Sequence, residues 1–356
     1  MHRQRSVQRK ARNREFTGYR SVRHAPEPFC PHRLVRHGPM QTMLALYRPR
    51  RVRAVVRGEA PVIIDAGADV TGLDDGVRLL GYYNRRRHDG PSRGLVINLH
   101  GWEGSSHAVY CLVLADYLLE AGYDVFRLNL RDHGPQLHLS PHALNRGLFL
   151  GTLLDESHTA VQRVAELAGD KPVYLTGPSM GGNFVLRMAR LHRERPIRNL
   201  RKVVAVSPAI NPGRSTDLVD AQYIYRRYFR PRWLRSLLRK QQLFPELYDF
   251  SDLVTVERVR EMTERLVRRY TEFESADEYF AAYSVLGDAL AGLTVPVTII
   301  TAADDAVIPV ADFYALAPSP CLEIQIHPAG GHVGFLDLSP LRHCLPAMVE
   351  AAFLAG

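Results

Sequence analysis

The chain has 356 residues, of which 46% are hydrophobic, and a formal net charge of +9 at pH 7. A chain of this length buries a large core, which excludes a small fold held by disulfides or metal ions and favours one α/β domain with an insertion. No apolar segment is long enough to span a bilayer and the N-terminus lacks the apolar stretch of a secretory signal, so we expect a cytoplasmic protein. The cysteines are widely spaced and match no metal-ligand pattern, so we expect neither a metal nor a disulfide at Cys30, Cys111, Cys321 and Cys344.

Positive charge is concentrated at the start of the chain. Residues 1–58 carry a net charge of +13, whereas the remainder carries −4. The first 24 residues lack apolar periodicity, so we predict a basic, disordered tail over residues 1–27. A solvated tail is the simpler interpretation. The alternative is a loose attraction to phosphates, and no motif in the chain supports specific nucleic-acid binding.

Strand and helix patterns alternate along most of the chain. Such alternation predicts a mostly parallel sheet covered by helices on both faces, with a core formed by residues 28–210 and 294–356. In chain order, strands are predicted at 76–83, 94–100, 123–130, 172–177, 203–210, 296–302 and 321–327, and helices at 107–121, 148–168, 180–192, 310–316 and 339–354.

The segment LTGPSMGGN, residues 175–183, places Ser179 in a Gly-x-Ser-x-Gly frame between an apolar strand and a helical pattern. A strand that turns into a helix through one strained serine needs minimal side chains two positions away, which Gly177 and Gly181 provide. The motif alone occurs by chance in about one chain in ten of this length, so the surrounding strand and helix carry the inference. They predict Ser179 as a nucleophile, with the backbone N–H of Met180 in an oxyanion hole.

A second oxyanion donor is predicted upstream. The apolar strand over residues 95–99 leads into His100 and Gly101, and in hydrolases with a serine at such a turn this position supplies a backbone donor. We therefore assign the N–H of Trp102 to the oxyanion hole.

Two adjacent acids follow the β-branched strand near residue 300. We favour Asp305 over Asp304 as the acid of a catalytic triad, because Asp305 lies in the loop beyond the strand, closer to Pro309. Asp304 remains the alternative.

The last predicted strand is followed by Gly330, Gly331 and His332. These glycines allow a loop to carry His332 back over the strand ends, where its imidazole can act as general base for Ser179. His327 precedes a proline on the strand itself, and we interpret it as structural.

Several motifs together resemble the YheT-like, embryogenesis-associated branch of the α/β-hydrolases, over about residue 28 to the C-terminus. The resemblance implies an α/β-hydrolase fold and a serine carboxylester hydrolase with Ser179, Asp305 and His332 at its triad positions. Relatives tend to carry a His-Ser pair where this chain has Phe149 and Leu150. The motifs are HGWEGSS (100–106), NLRDHG (129–134), GPSMGGN (177–183), TAADD (301–305), GGHVGF (330–335) and FCPHRLVRHGPMQT (29–42).

Residues 211–293 lack strand patterns and are predicted to form a helical lid inserted over the site. Within it, residues 223–240 interleave aromatic residues with seven Arg or Lys. We interpret this segment as an amphipathic lid helix, kinked at Pro231, whose apolar face covers the pocket and whose cations face water. A weak peripheral contact with an anionic membrane is the alternative, and nucleic-acid binding is less favoured.

These features predict a hydrolase without a cofactor that cleaves carboxylic esters through an acyl-Ser179 intermediate. We expect its partner to be a small-molecule ester with an apolar acyl or alkyl part. A thioesterase or an acyltransferase would use the same triad. A non-catalytic binding protein on this fold is a further alternative, although such proteins usually lose a member of the triad.

Overall fold

A nine-stranded sheet runs through the part of the chain that the structure describes. The structure is a computed structural model, described here for residues 22–24, 27–134, 145–338 and 340–355. The strands of the sheet are β1 (Val22–His24), β2 (Ala60–Asp65), β3 (Arg78–Asn84), β4 (Leu95–Leu99), β5 (Asp124–Leu128), β6 (Val173–Pro178), β7 (Leu200–Val206), β8 (Val297–Ala302) and β9 (Leu322–His327). Their order across the sheet is β1-β9-β8-β7-β6-β4-β5-β3-β2.

The sheet is mostly parallel, as the sequence predicted. From β1 to β5 every neighbouring pair is parallel, and only β3 and β2 add antiparallel pairs at one edge. The predicted strands are all present, whereas β2 escaped prediction. It is an edge strand with a single buried residue, Ile64. Its short apolar run contains Pro61 and does not alternate with polar residues, so the segment shows no period typical of a strand. β1 lies within the segment predicted as a tail, and residues 1–21, 25 and 26 lie outside the described residues.

Helices cover both faces of the sheet, as predicted. Along β4, Leu95, Ile97 and Leu99 join one apolar core while Val96 joins a second on the opposite face, as the period of two in a strand requires. The helices of the described residues are α1 (Gly38–Leu44), α2 (Arg53–Arg57), α3 (Val109–Glu120), α4 (Leu154–Glu166), α5 (Met180–Leu191), α6 (Pro212–Ala221), α7 (Tyr223–Leu243), α8 (Val259–Tyr270), α9 (Ala276–Ala282), α10 (Ala311–Tyr314) and α11 (Leu345–Leu354). Helices α4 and α5 pack in the first core, and α3 and α11 in the second.

Two predicted helices begin later than expected. α4 begins at Leu154 because the preceding residues form a loop, in which Phe149 donates its backbone N–H to Asp132 and Gly151 donates to the Tyr279 hydroxyl. α11 begins at Leu345 because a small antiparallel pair, β10 (Leu336–Asp337) and β11 (Arg342–His343), occupies the residues before it.

The chain between β7 and β8 forms helices α6 to α9 and a 3₁₀ turn at Ser251–Thr255. In α7, the aromatic residues Tyr225, Phe229 and Trp233 recur every fourth residue and pack toward the protein. Lys240 departs from the expectation that the cations of this segment face water. It is 3% exposed, and its Nζ donates to Asp132 Oδ1 at 2.9 Å and to the carbonyl oxygens of Asn145 and Gly147. These bonds satisfy the buried ammonium group and tie the C-terminal end of α7 to the core.

Within the described residues, no helix has both the length and the apolar character required to cross a bilayer.

Candidate active site

Ser179 lies at the turn from β6 into α5, at the carboxyl edge of the parallel strands. Its backbone φ is +53° and its ψ is −119°, a conformation that is costly for a residue with a side chain and is characteristic of functional turns. The turn closes because Gly177 and Gly181 touch. A Cβ on Gly177 would lie 2.6 Å from the Gly181 backbone, and a Cβ on Gly181 would lie 2.6 Å from the carbonyl oxygen of His100. The two glycines therefore allow α5 to begin directly against the end of β4.

The loop after β4 packs on Ser179. A Cβ on Gly101 would lie 3.3 Å from the Ser179 Cβ, and the N–H of Gly101 donates to the Tyr110 hydroxyl at 2.9 Å. The chain then turns at Trp102 and Glu103, with a hydrogen bond from Gly104 N to Gly101 O at 3.0 Å. Trp102 and Met180, the predicted oxyanion donors, both line a cavity that also contains Ser179. The structure therefore places both residues in the wall of the cavity at the predicted nucleophile.

His332 and Asp305 form a hydrogen-bonded pair at the ends of neighbouring strands. Asp305 follows β8, His332 follows β9, and His332 Nδ1 lies 2.9 Å from Asp305 Oδ2. The other carboxylate oxygen of Asp305 accepts the backbone N–H groups of Val307 and Ile308 at 2.8 and 2.9 Å. These bonds orient the carboxylate toward the imidazole. Since Asp305 holds Nδ1–H, the Nε2 of His332 is left as the nitrogen that can accept a proton.

Asp304, the alternative acid, has a different partner. Its Oδ1 accepts the backbone N–H of Gly331 at 2.9 Å, so it supports the loop that carries His332 instead of contacting the imidazole. Burial raises the pKa of Asp304 above its ordinary value, and the hydrogen bond from Gly331 opposes this shift.

His327, predicted to be structural, is 3% exposed and accepts the Phe29 N–H at Nδ1. Burial lowers the pKa of His327 to about 4, so this imidazole is neutral at pH 7.

Helix α1 supplies two residues that were not predicted to belong to the site. The fully buried Gln41 donates to the carbonyl oxygens of Val35 and Leu336 and accepts the N–H of Leu336 at 2.7 Å. Thr42 Oγ1 accepts the backbone N–H of His332 at 2.9 Å. Both side chains hold the loop around His332 from a helix 290 residues away in sequence, and no local spacing indicates that contact.

Replacement of Gln41 by alanine is expected to lower both stability and turnover. The substitution leaves the buried N–H and C=O of Leu336 and the C=O of Val35 unsatisfied, which costs about 1–3 kcal/mol for each group that water does not reach. Urea unfolding and kcat measurements would detect the change. Gln162→Ala, which removes one exposed hydrogen bond to Pro196 O, is the matched control. An unchanged kcat in Gln41→Ala would contradict a role for Gln41 in holding the His332 loop.

Two cavities meet at Ser179. The smaller, called the inner chamber, has a volume of about 100 Å³ and is lined by Phe149, Leu150, Trp233 and Tyr283 among others. The larger, called the outer chamber, has a volume of about 360 Å³ and is lined by residues that include Thr42, Glu103, Tyr228 and His332. Ser179, Trp102, Phe229 and Val307 line both.

The carboxyl group of Glu103 is buried in the wall of the outer chamber, which Ser179 also lines. It has a positive φ of +52°, its side chain is 7% exposed, and its Oε2 accepts the Ser236 hydroxyl of α7 at 2.8 Å. Burial raises the pKa of Glu103 to about 7, and the nearby Asp132 adds to the shift while Arg232 and the Ser236 hydroxyl oppose it. The loop beside Ser179 is thus bonded to α7 through a carboxyl group that is about half protonated at neutral pH.

Glu103→Gln is expected to remove a pH-dependent loss of stability. The folded state holds the Glu103 proton up to about pH 7, whereas the unfolded chain releases it near the ordinary value of 4.5, so wild-type stability falls as pH rises between these values. Glutamine does not ionise. The free energy of unfolding of Glu103→Gln, relative to that of the wild type, should therefore increase by roughly 2 kcal/mol from pH 5 to pH 8. Urea unfolding at both pH values measures this, with Glu166→Gln on the exposed face of α4 as the control. A constant difference between Glu103→Gln and wild type would rule out the shift.

A parallel sheet with a strained serine at the end of one strand, and a histidine–carboxylate pair at the ends of two other strands that are adjacent to each other, defines an α/β-hydrolase. The comparison with protein families agrees. The chain belongs to the serine aminopeptidase S33 family, Hydrolase_4, whose sequence profile matches residues 90–339. It is therefore a hydrolase of the α/β class.

Solved structures of hydrolases share this fold. The serine hydrolase CCSP0084 from the polyaromatic hydrocarbon-degrading bacterium Cycloclasticus zankles is 16% identical with a TM-score of 0.51, over 83% of this chain and 97% of that one. Est1E from Butyrivibrio proteoclasticus with bound ferulic acid is 18% identical with a TM-score of 0.50, over 82% and 96%. The 2,6-dihydroxy-pseudo-oxynicotine hydrolase is 14% identical with a TM-score of 0.50, over 88% and 76%. At these identities the similarity establishes the fold.

Proposed function

We propose that this protein cleaves carboxylic esters with an apolar acyl or alkyl part through an acyl-Ser179 intermediate. The observation that carries the proposal is one shared cavity. Ser179, at its strained turn, and His332, paired with Asp305 at 2.9 Å, both line the outer chamber. A serine and a histidine held in this way are the nucleophile and general base of acyl transfer.

In the first half of the reaction, His332 Nε2 takes the proton of the Ser179 hydroxyl as the oxygen attacks the ester carbonyl carbon. The imidazolium that forms is stabilised by the Asp305 carboxylate at Nδ1, and the bonds from Val307 and Ile308 keep that carboxylate in place. The backbone N–H groups of Trp102 and Met180 are assigned to the developing oxyanion.

In the second half, the imidazolium returns its proton to the leaving alcohol oxygen, and the alcohol departs. Water then takes the alcohol's place, gives a proton to His332 and attacks the acyl carbon. When the bond from that carbon to Ser179 Oγ breaks, His332 passes this proton to Oγ, which releases the acid and restores the Ser179 hydroxyl. Every proton step uses the same Nε2, so the sequence of steps needs one general base.

The helices between β7 and β8 are proposed to act as a lid. Trp102 stacks on Phe229 of α7 with ring centroids 5.4 Å apart and meets Trp233 edge-on at 5.3 Å. These contacts place α7 against the loop that carries a proposed oxyanion donor, where it shields the reaction from bulk water.

The YheT-like branch remains our proposal for the chain's place within the hydrolases. The segment FCPHRLVRHGPMQT, which contributes to that resemblance, ends in Gln41 and Thr42, and both side chains support the His332 loop. The segment is thus part of the candidate site and not a separate appendage.

A fluorophosphonate probe tests the proposal, because it reacts with activated serines. We expect the wild type to be labelled and Ser179→Ala, with an unchanged melting temperature, to remain unlabelled. Parallel assays with a p-nitrophenyl ester, a thioester, an added alcohol acceptor and an aminoacyl p-nitroanilide identify the bond cleaved. Absence of labelling in folded wild-type protein would refute the assignment of Ser179, and faster cleavage of the anilide than of the ester would refute esterase chemistry.

A further inference from the structure

The two chambers at Ser179 contain different parts of the proposed machinery. His332 lines the outer chamber and is absent from the described lining of the inner one. Met180, a proposed oxyanion donor, lines the inner chamber and is absent from the described lining of the outer one. A substrate whose carbonyl carbon sits at Ser179 therefore has one side facing the base and the other facing the start of α5.

The chemistry decides which part of an ester enters which chamber. When the tetrahedral intermediate collapses, the bond from carbon to the leaving oxygen breaks, and the proton that left Ser179 passes from His332 Nε2 to that oxygen. The leaving oxygen must therefore lie within hydrogen-bond reach of His332, which is the side of the outer chamber. The acyl chain, attached to the same carbon, extends in the other direction.

We propose that the inner chamber binds the acyl part of the substrate and the outer chamber its alcohol part, so that the protein selects esters of short, uncharged acids with larger alcohols. This inference rests on the proposed function of Ser179 and His332. It adds a substrate class to that function and assigns the residues that limit each side.

The size of the inner chamber sets the acyl length. An apolar cavity of about 150 Å³ accommodates a benzene molecule. The inner chamber, at about 100 Å³, is smaller and is bounded by residues that include Leu150, Val267 of α8 and Tyr283, which follows α9. An acyl group of roughly four carbons fills a space of this size.

The two chambers also differ in the ionisable residues that line them. None of the described residues that line the inner chamber carries an ionisable acid or base other than tyrosine, and its surface is mainly aliphatic and aromatic. A protonated amine placed there would lose its water without gaining a partner, which disfavours aminoacyl substrates. The outer chamber contains Glu103 and His107 as well as His332, and with about 360 Å³ it admits a larger and more polar alcohol.

Two substrate series measured on the full chain test this assignment. In p-nitrophenyl esters of increasing acyl length, we expect kcat/KM to peak at or below butyrate and to fall at least about tenfold by octanoate, since even one methylene that does not fit an apolar pocket costs about tenfold or more. In butyrate esters of increasing alcohol size, we expect a much flatter profile.

Substitutions in each chamber identify its occupant. Leu150 is half-buried in the inner chamber, and Leu150→Ala is expected to raise octanoate turnover relative to butyrate by about tenfold. Leu150→Phe, which fills the chamber, is expected to shift the preference from butyrate to acetate. Leu46, 44% exposed in the outer chamber, provides the matched control, because Leu46→Ala should change the alcohol profile and leave the acyl profile unchanged.

The outcomes distinguish the assignment from the proposed function. If the wild type reacts with the fluorophosphonate and hydrolyses short esters, but Leu46→Ala changes acyl preference and neither Leu150 variant does, the chambers are assigned the wrong way round while the hydrolase function stands. A peak at octanoate in the wild type would likewise overturn the size limit alone. Failure of the wild type to react with either probe or ester would overturn both the chamber assignment and the proposed function.

Discussion

Ser179→Ala is expected to lower kcat for p-nitrophenyl butyrate by about 10⁴- to 10⁶-fold, the loss that removal of a nucleophile causes in serine hydrolases. The turnover that remains would come from the oxyanion donors acting on a bound water. KM should change little, because the Ser179 side chain contributes little surface to either chamber. At the φ and ψ of position 179, alanine is strained to about the same extent as serine, so Ser179→Ala should retain the fold.

The control for this variant is another serine of the inner chamber. Ser215 lines the same cavity, and its hydroxyl donates to Asn211 O at 2.9 Å, so Ser215→Ala should retain most of the wild-type activity. Comparable losses in the two variants would indicate a packing effect and contradict the role of Ser179 as nucleophile. Mass spectrometry of the wild type quenched during turnover should find the acyl group on Ser179.

Asp305→Asn is expected to lower kcat by roughly 10⁴-fold, as removal of a triad carboxylate does elsewhere. The amide oxygen of asparagine can keep the bonds from Val307 and Ile308, which places its NH₂ group opposite His332 Nδ1. The imidazole must then accept at Nδ1 and carry its proton on Nε2. In that tautomer His332 cannot take the proton of Ser179, although the geometry of the site is intact.

Asp304→Asn is the matched control for Asp305→Asn. An asparagine at position 304 keeps an oxygen for the Gly331 N–H, so the His332 loop should stay in place and kcat should fall far less than in Asp305→Asn. Both variants are compared by kcat over a pH series, with thermal unfolding as a check on folding. If Asp304→Asn caused the larger loss, the acid of the triad would have to be reassigned to Asp304.

Much of the fold was predictable from local patterns. The strands that lie between other strands, such as β4 and β8, are buried along their whole length and consist mostly of apolar residues, so they are visible in the sequence. Edge strand β2 was not predicted because only Ile64 is buried, so its residues do not alternate between apolar and polar as in a half-buried strand. The late start of α4 was also missed, since the loop at Phe149 is held by Asp132 and the Tyr279 hydroxyl, partners that lie outside any helical window.

The sequence by itself determined the turn at Ser179, because the glycines two residues away on either side and the flanking strand and helix are all contained in one short segment. It also determined the order of serine, acid and histidine along the chain. Only the tertiary structure decided which acid faces His332, since Asp304 and Asp305 are adjacent in sequence and differ only in the direction of their side chains.

The tertiary structure alone likewise decided the support of His332 by Gln41 and Thr42 and the division of the cavity into two chambers at Ser179. These features arise where distant segments pack against one another. A local pattern specifies the backbone of its own element, whereas the shape and partners of a site depend on which elements the fold brings together.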